Sequence, residues 1–381
     1  MQFKDIIGHK EEIQKLRDII DRKQLPHALL LHGPSGVGKF RTARAFIQYL
    51  CCTDRTPEGD SCGKCPSCIQ TAKFNNPDIH YIFPVLKKTN PTRTISADYL
   101  QEWIEFLSNH SYMPSDQWLR IIEAGNSRPI IYVAESEEIL RLSSLSAYGN
   151  GFKIFVIWEP EKMNIEASNK LLKVIEEPFE DTLFLFVSNN PGEIIPTIRS
   201  RLRAVEFGRL PDSAIKTFME ERGKSVSEAD ALARIARGNM NTAFMLTRED
   251  GEIDEFRAMF IDAMRAAYAR KMPELRNLAD KFAAFGREKS IRLLHYFARM
   301  IRESFISNLH NDHLKSMTRE EEMFVAKFGP FVNSANVEEI SSQIDRAVND
   351  ISRNANQKIV WFDFLIELCR LIRTNMSSAG K

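Results

Sequence analysis

The chain has no apolar run approaching the roughly 20 residues that a bilayer-spanning helix needs. Its opening residues, Met1-Gln2-Phe3-Lys4-Asp5, lack the apolar core of a signal peptide. It also lacks a net charge of consequence: 52 Lys and Arg stand against 51 Asp and Glu, leaving +1. No global field therefore draws it onto DNA or an acidic membrane, and any nucleic-acid contact must be local or shared with partners. Together these absences exclude a membrane partner and lead us to expect a cytoplasmic protein. Cysteine is scarce, six in 381 residues, yet five of the six fall between residues 51 and 68. Under reducing conditions such a cluster points to a metal rather than to disulfides. The last absence is a single hydroxyl. Gly33-Pro34-Ser35-Gly36-Val37-Gly38-Lys39-Phe40 fits the phosphate-loop pattern G-x-x-x-x-G-K-[ST] up to Lys39, and Phe40 stands where Ser or Thr would ligate Mg²⁺.

What is present suits that loop. Ala28-Leu29-Leu30-Leu31-His32 reads as a buried strand, and Lys39 to Leu50 reads as a helix with apolar positions at Ala43, Phe46, Ile47 and Leu50. Strand, glycine loop, helix is the context in which backbone N–H groups cradle phosphate and a lysine neutralises it. Gly33, Gly36, Gly38 and Lys39 are thus the candidate nucleotide-binding residues. Two more buried strands, Phe152–Trp158 and Thr182–Val187, flank a helix over Ile165–Glu177 that Pro178 stops. Strands alternating with helices indicate a parallel α/β sheet flanked by helices.

At 381 residues two or three domains are expected. Residues 1–209 read as the α/β domain, with the cysteine module at 51–68 and an insertion at about 81–130 marked by Pro84, Pro91, Pro114 and Pro129 and the polar run Lys87-Lys88-Thr89-Asn90. Inside it Tyr99–Leu107 reads as a helix, and the rest as an elaborated loop. Residues 210–250 read as three short helices, over 213–222, 227–237 and 241–247. Residues 251–381 read as all-helical, with stripes at Ile291, Leu294, Ala298, Ile301, Phe305 and Leu309 and at Val360, Phe364, Leu368 and Leu371 that form a helical core.

Cys62-Gly63-Lys64-Cys65-Pro66-Ser67-Cys68 gives C-x₂-C-x₂-C, with Cys52 upstream as the fourth thiolate. Four thiolates on tight turns suit tetrahedral Zn²⁺ and leave no open position, so the zinc is expected to be structural. An iron–sulfur cluster is the less favoured occupant, and Cys51 competes with Cys52 as the fourth ligand. Cys369, on an apolar helix face, reads as a buried core thiol.

Several pieces together resemble one family, the clamp-loader branch of AAA+ proteins, which serves bacterial DNA polymerase III. They are Phe3-Lys4-Asp5-Ile6-Ile7-Gly8-His9, the phosphate loop, the four cysteines directly after its helix, the helix Ala167 to Pro178, and Ile198-Arg199-Ser200-Arg201-Leu202. The resemblance covers about residues 1–250 and implies an AAA+ domain, a helical lid and, for the helical tail, the collar that joins such subunits. It aligns the metal-site aspartate with Trp158, leaves Glu159 as the water-orienting acid, and puts Asn241 where active members present a sensor arginine. Asn189 falls at the polar sensor position. Phosphoryl transfer needs its metal held and its water oriented, so three losses at one site imply a chain that hydrolyses ATP weakly or not at all, with ATP or ADP bound weakly or absent.

The same resemblance makes Arg201 an arginine finger, offered in trans to the ATP site of a neighbouring subunit, with Arg199 as a structural alternative. The implied function is a non-hydrolysing subunit of the hetero-pentameric loader that places the sliding clamp on primed DNA, contacting clamp and DNA through the assembly. Two other classes compete. One is a gamma/tau-type clamp-loader ATPase that uses Lys39 and Glu159 itself. The other is a zinc-containing DNA-binding protein, against which the near-neutral charge and the missing His/Cys pair after a recognition helix both count.

Overall fold

The structure, a computed structural model, describes residues 1–88, 93–125, 127–148, 151–247, 251–308 and 317–373. Thr89, Asn90, Pro91 and Leu309, each named above, lie outside the described residues, as do 248–250 and 374–381. The chain divides into two compact units, Met1–Phe244 and Met245–Lys381.

The first unit is built on five strands: β1 (Ala28–His32), β2 (Ile79–Ile82), β3 (Lys153–Trp158), β4 (Thr182–Ser188) and β5 (Arg203–Glu206). They lie in the order β2-β3-β4-β1-β5, and every ladder is parallel. β3 and β4 are buried along their whole length because helices cover both faces, which is why they read as unbroken apolar runs rather than alternating ones. β2 and β5 escaped the sequence reading. β5 shows one buried residue in four, and β2 is a short edge strand carrying His80 and Tyr81.

The helices of this unit are α1 (Lys10–Asp21), α2 (Lys39–Cys51), α3 (Pro66–Ala72), α4 (Leu100–Asn109), α5 (Ser115–Ile121), α6 (Val133–Ser143), α7 (Ile165–Glu176), α8 (Pro196–Arg199), α9 (Asp212–Glu221), α10 (Val226–Ala236) and the first part of α11 (Met240–Thr247), whose residues 245–247 are counted with the second unit. The parallel sheet flanked by helices is the α/β architecture expected above. β4 enters between β1 and β3, so the chain order reverses beside β1. In open parallel sheets the carboxyl ends at such a reversal form a crevice, and the glycine loop sits there, between β1 and α2.

The insertion differs most from expectation. It begins inside β2 and carries α4, where the helix over Tyr99–Leu107 was read, and a second helix, α5, where a loop was expected. Its Phe83, Trp103, Phe106, Leu107, Met113 and Trp118 are buried in the same core as Phe40, Val156 and Trp158. Aromatic mass inside a polar, proline-broken segment was the signal for this.

The second unit holds α12 (Glu252–Ala269), α13 (Met272–Ala283), α14 (Gly286–Ser307), α15 (Arg319–Phe328), α16 (Val337–Ser352) and α17 (Gln357–Leu371), closed around one apolar core. On α14 the buried face centres on Leu293, Phe297 and Met300, with Ile291, Ala298 and Phe305 at its margins. Cys369 is buried there and donates to Leu365 O, a core thiol as read.

Candidate functional site

At the end of β1 the chain turns through Gly33, Gly36 and Gly38, all at positive φ. The turn is also too crowded for side chains. A Cβ at Gly33 would lie 2.1 Å from Phe207 O, and one at Gly36 would lie 1.8 Å from Asn239 Oδ1. Asn239 precedes α11, and the Met240 N–H donates to Gly36 O at 2.9 Å. The start of α11 therefore rests directly on the phosphate loop. The Tyr112 ring, from the insertion, lies against Gly38, and Asn241 Nδ2 donates to Tyr112 O at 3.2 Å. Asn241 thus acts here as a clasp between α11 and the insertion.

Lys39 is only 5% exposed. Its ammonium has three N–H bonds, and each has a protein acceptor: Gly33 O at 2.8 Å, Pro34 O at 2.6 Å and Asn189 Oδ1 at 2.8 Å. A phosphate must displace one of them to be bound. Burial pulls the Lys39 ammonium down to about 8, against the upward pull of Glu161 and Glu159. Asn189 is held in turn, since its N–H donates to Glu161 Oε1 at 3.2 Å while Ser188 Oγ donates to Glu161 Oε2 at 2.8 Å. Burial, then the neighbouring Glu159, raises the Glu161 carboxyl above its ordinary value. Glu161 went unremarked in the sequence because it lies outside every motif.

The two positions where the sequence reading expects metal ligands are filled with rings. Phe40 is 3% and Trp158 2% exposed, and Trp103 stands against both, its ring centre 5.8 Å from Phe40 and 5.3 Å from Trp158. Neither a phenyl nor an indole ring carries a lone pair for Mg²⁺. Glu159 keeps its carboxylate but spends it locally: Ser115 Oγ donates to Oε1, and Lys162 Nζ lies 2.6 Å from Oε2. The arrangement can hold a closed loop; it offers no metal ligand at the two positions where one would be needed.

Arg201 follows the short helix α8 and is partly exposed. Its guanidinium pairs with Glu176, at the end of α7, and donates to Thr197 O at 2.6 Å. Arg199 Nη1 donates to Pro191 O at 3.2 Å. Both arginines are on the surface, and the bonds they make are to Pro191, Thr197, Ser200 and Glu176 rather than to the acceptors of Lys39.

The Sγ atoms of Cys52, Cys62, Cys65 and Cys68 lie within 4.8 Å of one another. Around a tetrahedral Zn²⁺ with Zn–S near 2.3 Å, sulfurs stand about 3.8 Å apart, so the set fits such an ion. Backbone N–H groups of Cys62 and Cys65 point at the sulfurs of Cys52 and Cys62, each at 3.3 Å, and Cys68 N–H at Cys65 Sγ at 3.5 Å. Cys51 is turned away, packed on the main core. The module also anchors the first residues: Phe3 N–H and Lys4 N–H donate to the Asp60 carboxylate at 3.1 and 3.0 Å. Among the described residues no helix is long and apolar enough to cross a membrane.

A family model described as DNA polymerase III, delta subunit, matches residues 8–211. DNA polymerase III subunit delta' of Pseudomonas aeruginosa is 26% identical over 245 residues, 64% of this chain and 62% of that protein. The delta' subunit of Bacillus subtilis is 25% identical over 275 residues, 72% of this chain and 70% of that protein. A gamma/tau subunit from Mycobacterium tuberculosis is 24% identical over 231 residues, 60% of this chain and 33% of that protein. The chain thus spans less than two thirds of the length of the Pseudomonas relative.

Proposed function

Because the chain belongs, with the delta' clamp-loader subunits, to the DNA polymerase III delta-subunit family, we propose that it is a subunit whose own phosphate loop is idle. Its work is to complete the site of a neighbour. The observation that carries this is the packed ring cluster of Phe40, Trp103 and Trp158, with Phe40 and Trp158 at the two positions where metal ligands are expected. The three protein acceptors on Lys39 Nζ support it, since a nucleotide would have to break them.

In this reading the chain joins other clamp-loader subunits in a hetero-pentamer that loads the sliding clamp on primed DNA in the cytoplasm. Residues 251–381 serve as the collar and residues 210–250 as the lid. Arg201 reaches into the adjacent ATP site, where a guanidinium neutralises charge developing on the transferred phosphoryl group. To do so it must leave Glu176, a partly exposed pair worth under about 1 kcal/mol. Zn²⁺ on Cys52, Cys62, Cys65 and Cys68 supplies a structural cross-link and no open coordination site.

The test is ATP turnover by the purified chain alone. The proposal expects none above background, with no change on Lys39→Ala. Steady turnover abolished by Lys39→Ala would instead assign the gamma/tau-type activity to this chain.

A further inference from the structure

β2 is the edge of the sheet, and its open side is the floor of a cleft of about 290 Å³. One wall is α6, through Glu135, Glu138 and Leu142; the other is the stretch from Ile95 to Leu100. The parallel ladder pairs Ile79–Ile82 with Ile154–Ile157, and Ile154 N–H donates to Asp78 O at 2.8 Å. That register turns the backbone groups of His80 toward β3 and those of Ile79 and Tyr81 outward. Ile79 N–H is satisfied by Asn76 O at 3.2 Å. Ile79 C=O, Tyr81 N–H and Tyr81 C=O have no hydrogen-bond partner among the described residues.

The same cleft holds an unneutralised acid. Glu135 is 5% exposed, and its Oε2 accepts from Ser96 N–H at 2.5 Å and Ser96 Oγ at 2.9 Å. Among the described residues its other oxygen, Oε1, has no partner and the residue forms no ion pair. One turn along α6, Glu138 holds both nearby arginines, Arg93 and Arg141, at 2.6 Å each. A buried carboxylate without a countercharge is costly, and a cation entering the cleft relieves that cost.

Two independent features thus converge. Unpaired edge groups accept an extended chain, and the acid beside them accepts a positive side chain. We propose that the open edge of β2 docks one extended peptide segment of a partner protein, which adds to the sheet along Ile79–Ile82 and carries a lysine or arginine side chain to Glu135. Nothing in this assignment depends on the phosphate loop being idle.

The probe is the peptide acetyl-Thr-Val-Lys-Val-Thr-amide, titrated into the full chain at pH 8 and followed by backbone amide NMR. The proposal expects saturable binding that moves the Tyr81 amide. It expects binding about tenfold weaker or worse when norleucine replaces the lysine, and the same loss when alternate peptide nitrogens are methylated. Glu135→Gln, which keeps an acceptor for Ser96, should erase the preference for lysine over norleucine. The methylated peptide carries the test by itself should that variant fold poorly. Shifts that avoid β2, equal binding of the norleucine or methylated peptides, or n-butylammonium binding as tightly as the lysine peptide would each overturn the proposal.

Discussion

Lys39 Nζ donates to Asn189 Oδ1 at 2.8 Å, tying the cation of the phosphate loop to the residue that follows β4. With Gly33 O and Pro34 O as its other acceptors, the lysine holds its own loop shut. Lys39→Met should therefore destabilise the folded chain, by about 1–3 kcal/mol, because buried acceptors lose their donor. Relief of the desolvated ammonium offsets part of that loss. Denaturant unfolding of the two proteins measures it, and an unchanged midpoint would mean that the three bonds contribute nothing.

Restoring the metal-site chemistry by name should not restore activity. Phe40→Ser with Trp158→Asp puts back a hydroxyl and a carboxylate, but Trp103, Phe106 and Phe83 still fill the space around them. Each change removes a buried ring and is expected to cost about 3–5 kcal/mol, with coupling between two residues that share Trp103 as a neighbour. The expected outcome is a strongly destabilised protein with no ATP turnover, checked by unfolding and phosphate release. Recovered turnover would show that the two side chains alone had silenced the site.

How much of this was legible in sequence depends on the physics of each part. β3 and β4 announced themselves because burial on both faces demands continuous apolar runs. β2 and β5, at the sheet edges, carry mixed residues and gave no such pattern. The losses at Phe40 and Trp158 were visible because a motif defines what ought to stand there. Trp103 and Tyr112, which explain why those losses fit together, belong to a segment without a motif, and their contacts are tertiary. Cys52 and Cys51 are adjacent in sequence; only the fold shows which sulfur joins the other three.

The sulfur cluster carries its own test. Metal analysis of carefully reduced protein should give one zinc per chain, lost when Cys65 and Cys68 are both changed to Ser. Loss of zinc should also loosen the first residues, since Asp60 holds Phe3 and Lys4 from the same module. Amide exchange at Phe3 and Lys4 reads that coupling. Iron, or no metal at all, would contradict the assignment.

Glu135 should leave a signature in the pH dependence of stability. Burial raises its carboxyl from 4.5 to about 7, against the bonds from Ser96. Between those values the unfolded chain has released the proton while the folded chain keeps it, so wild-type stability falls as pH rises from 4.5 to 7 and this contribution is level above. Glu138, on the same helix, is held down to about 2 by Arg141 and Arg93, so it stays charged throughout. His80, in the same cleft, is held below its ordinary 6.5 by burial and is common to both proteins. Glu135→Gln should gain on the wild type across that window by a few kcal/mol at most. A difference that does not vary with pH would contradict it.

The most direct measurement is steady-state ATP turnover by a reconstituted clamp loader containing this chain as wild type, Arg201→Ala or Lys39→Met. Arg201 is on the surface and Lys39 is buried in its own loop. If the chain serves a neighbour's site, Arg201→Ala assembles normally and lowers turnover about tenfold or more, while Lys39→Met, kept below its unfolding temperature, leaves turnover unchanged. Loss of turnover with Lys39→Met and none with Arg201→Ala would contradict the account.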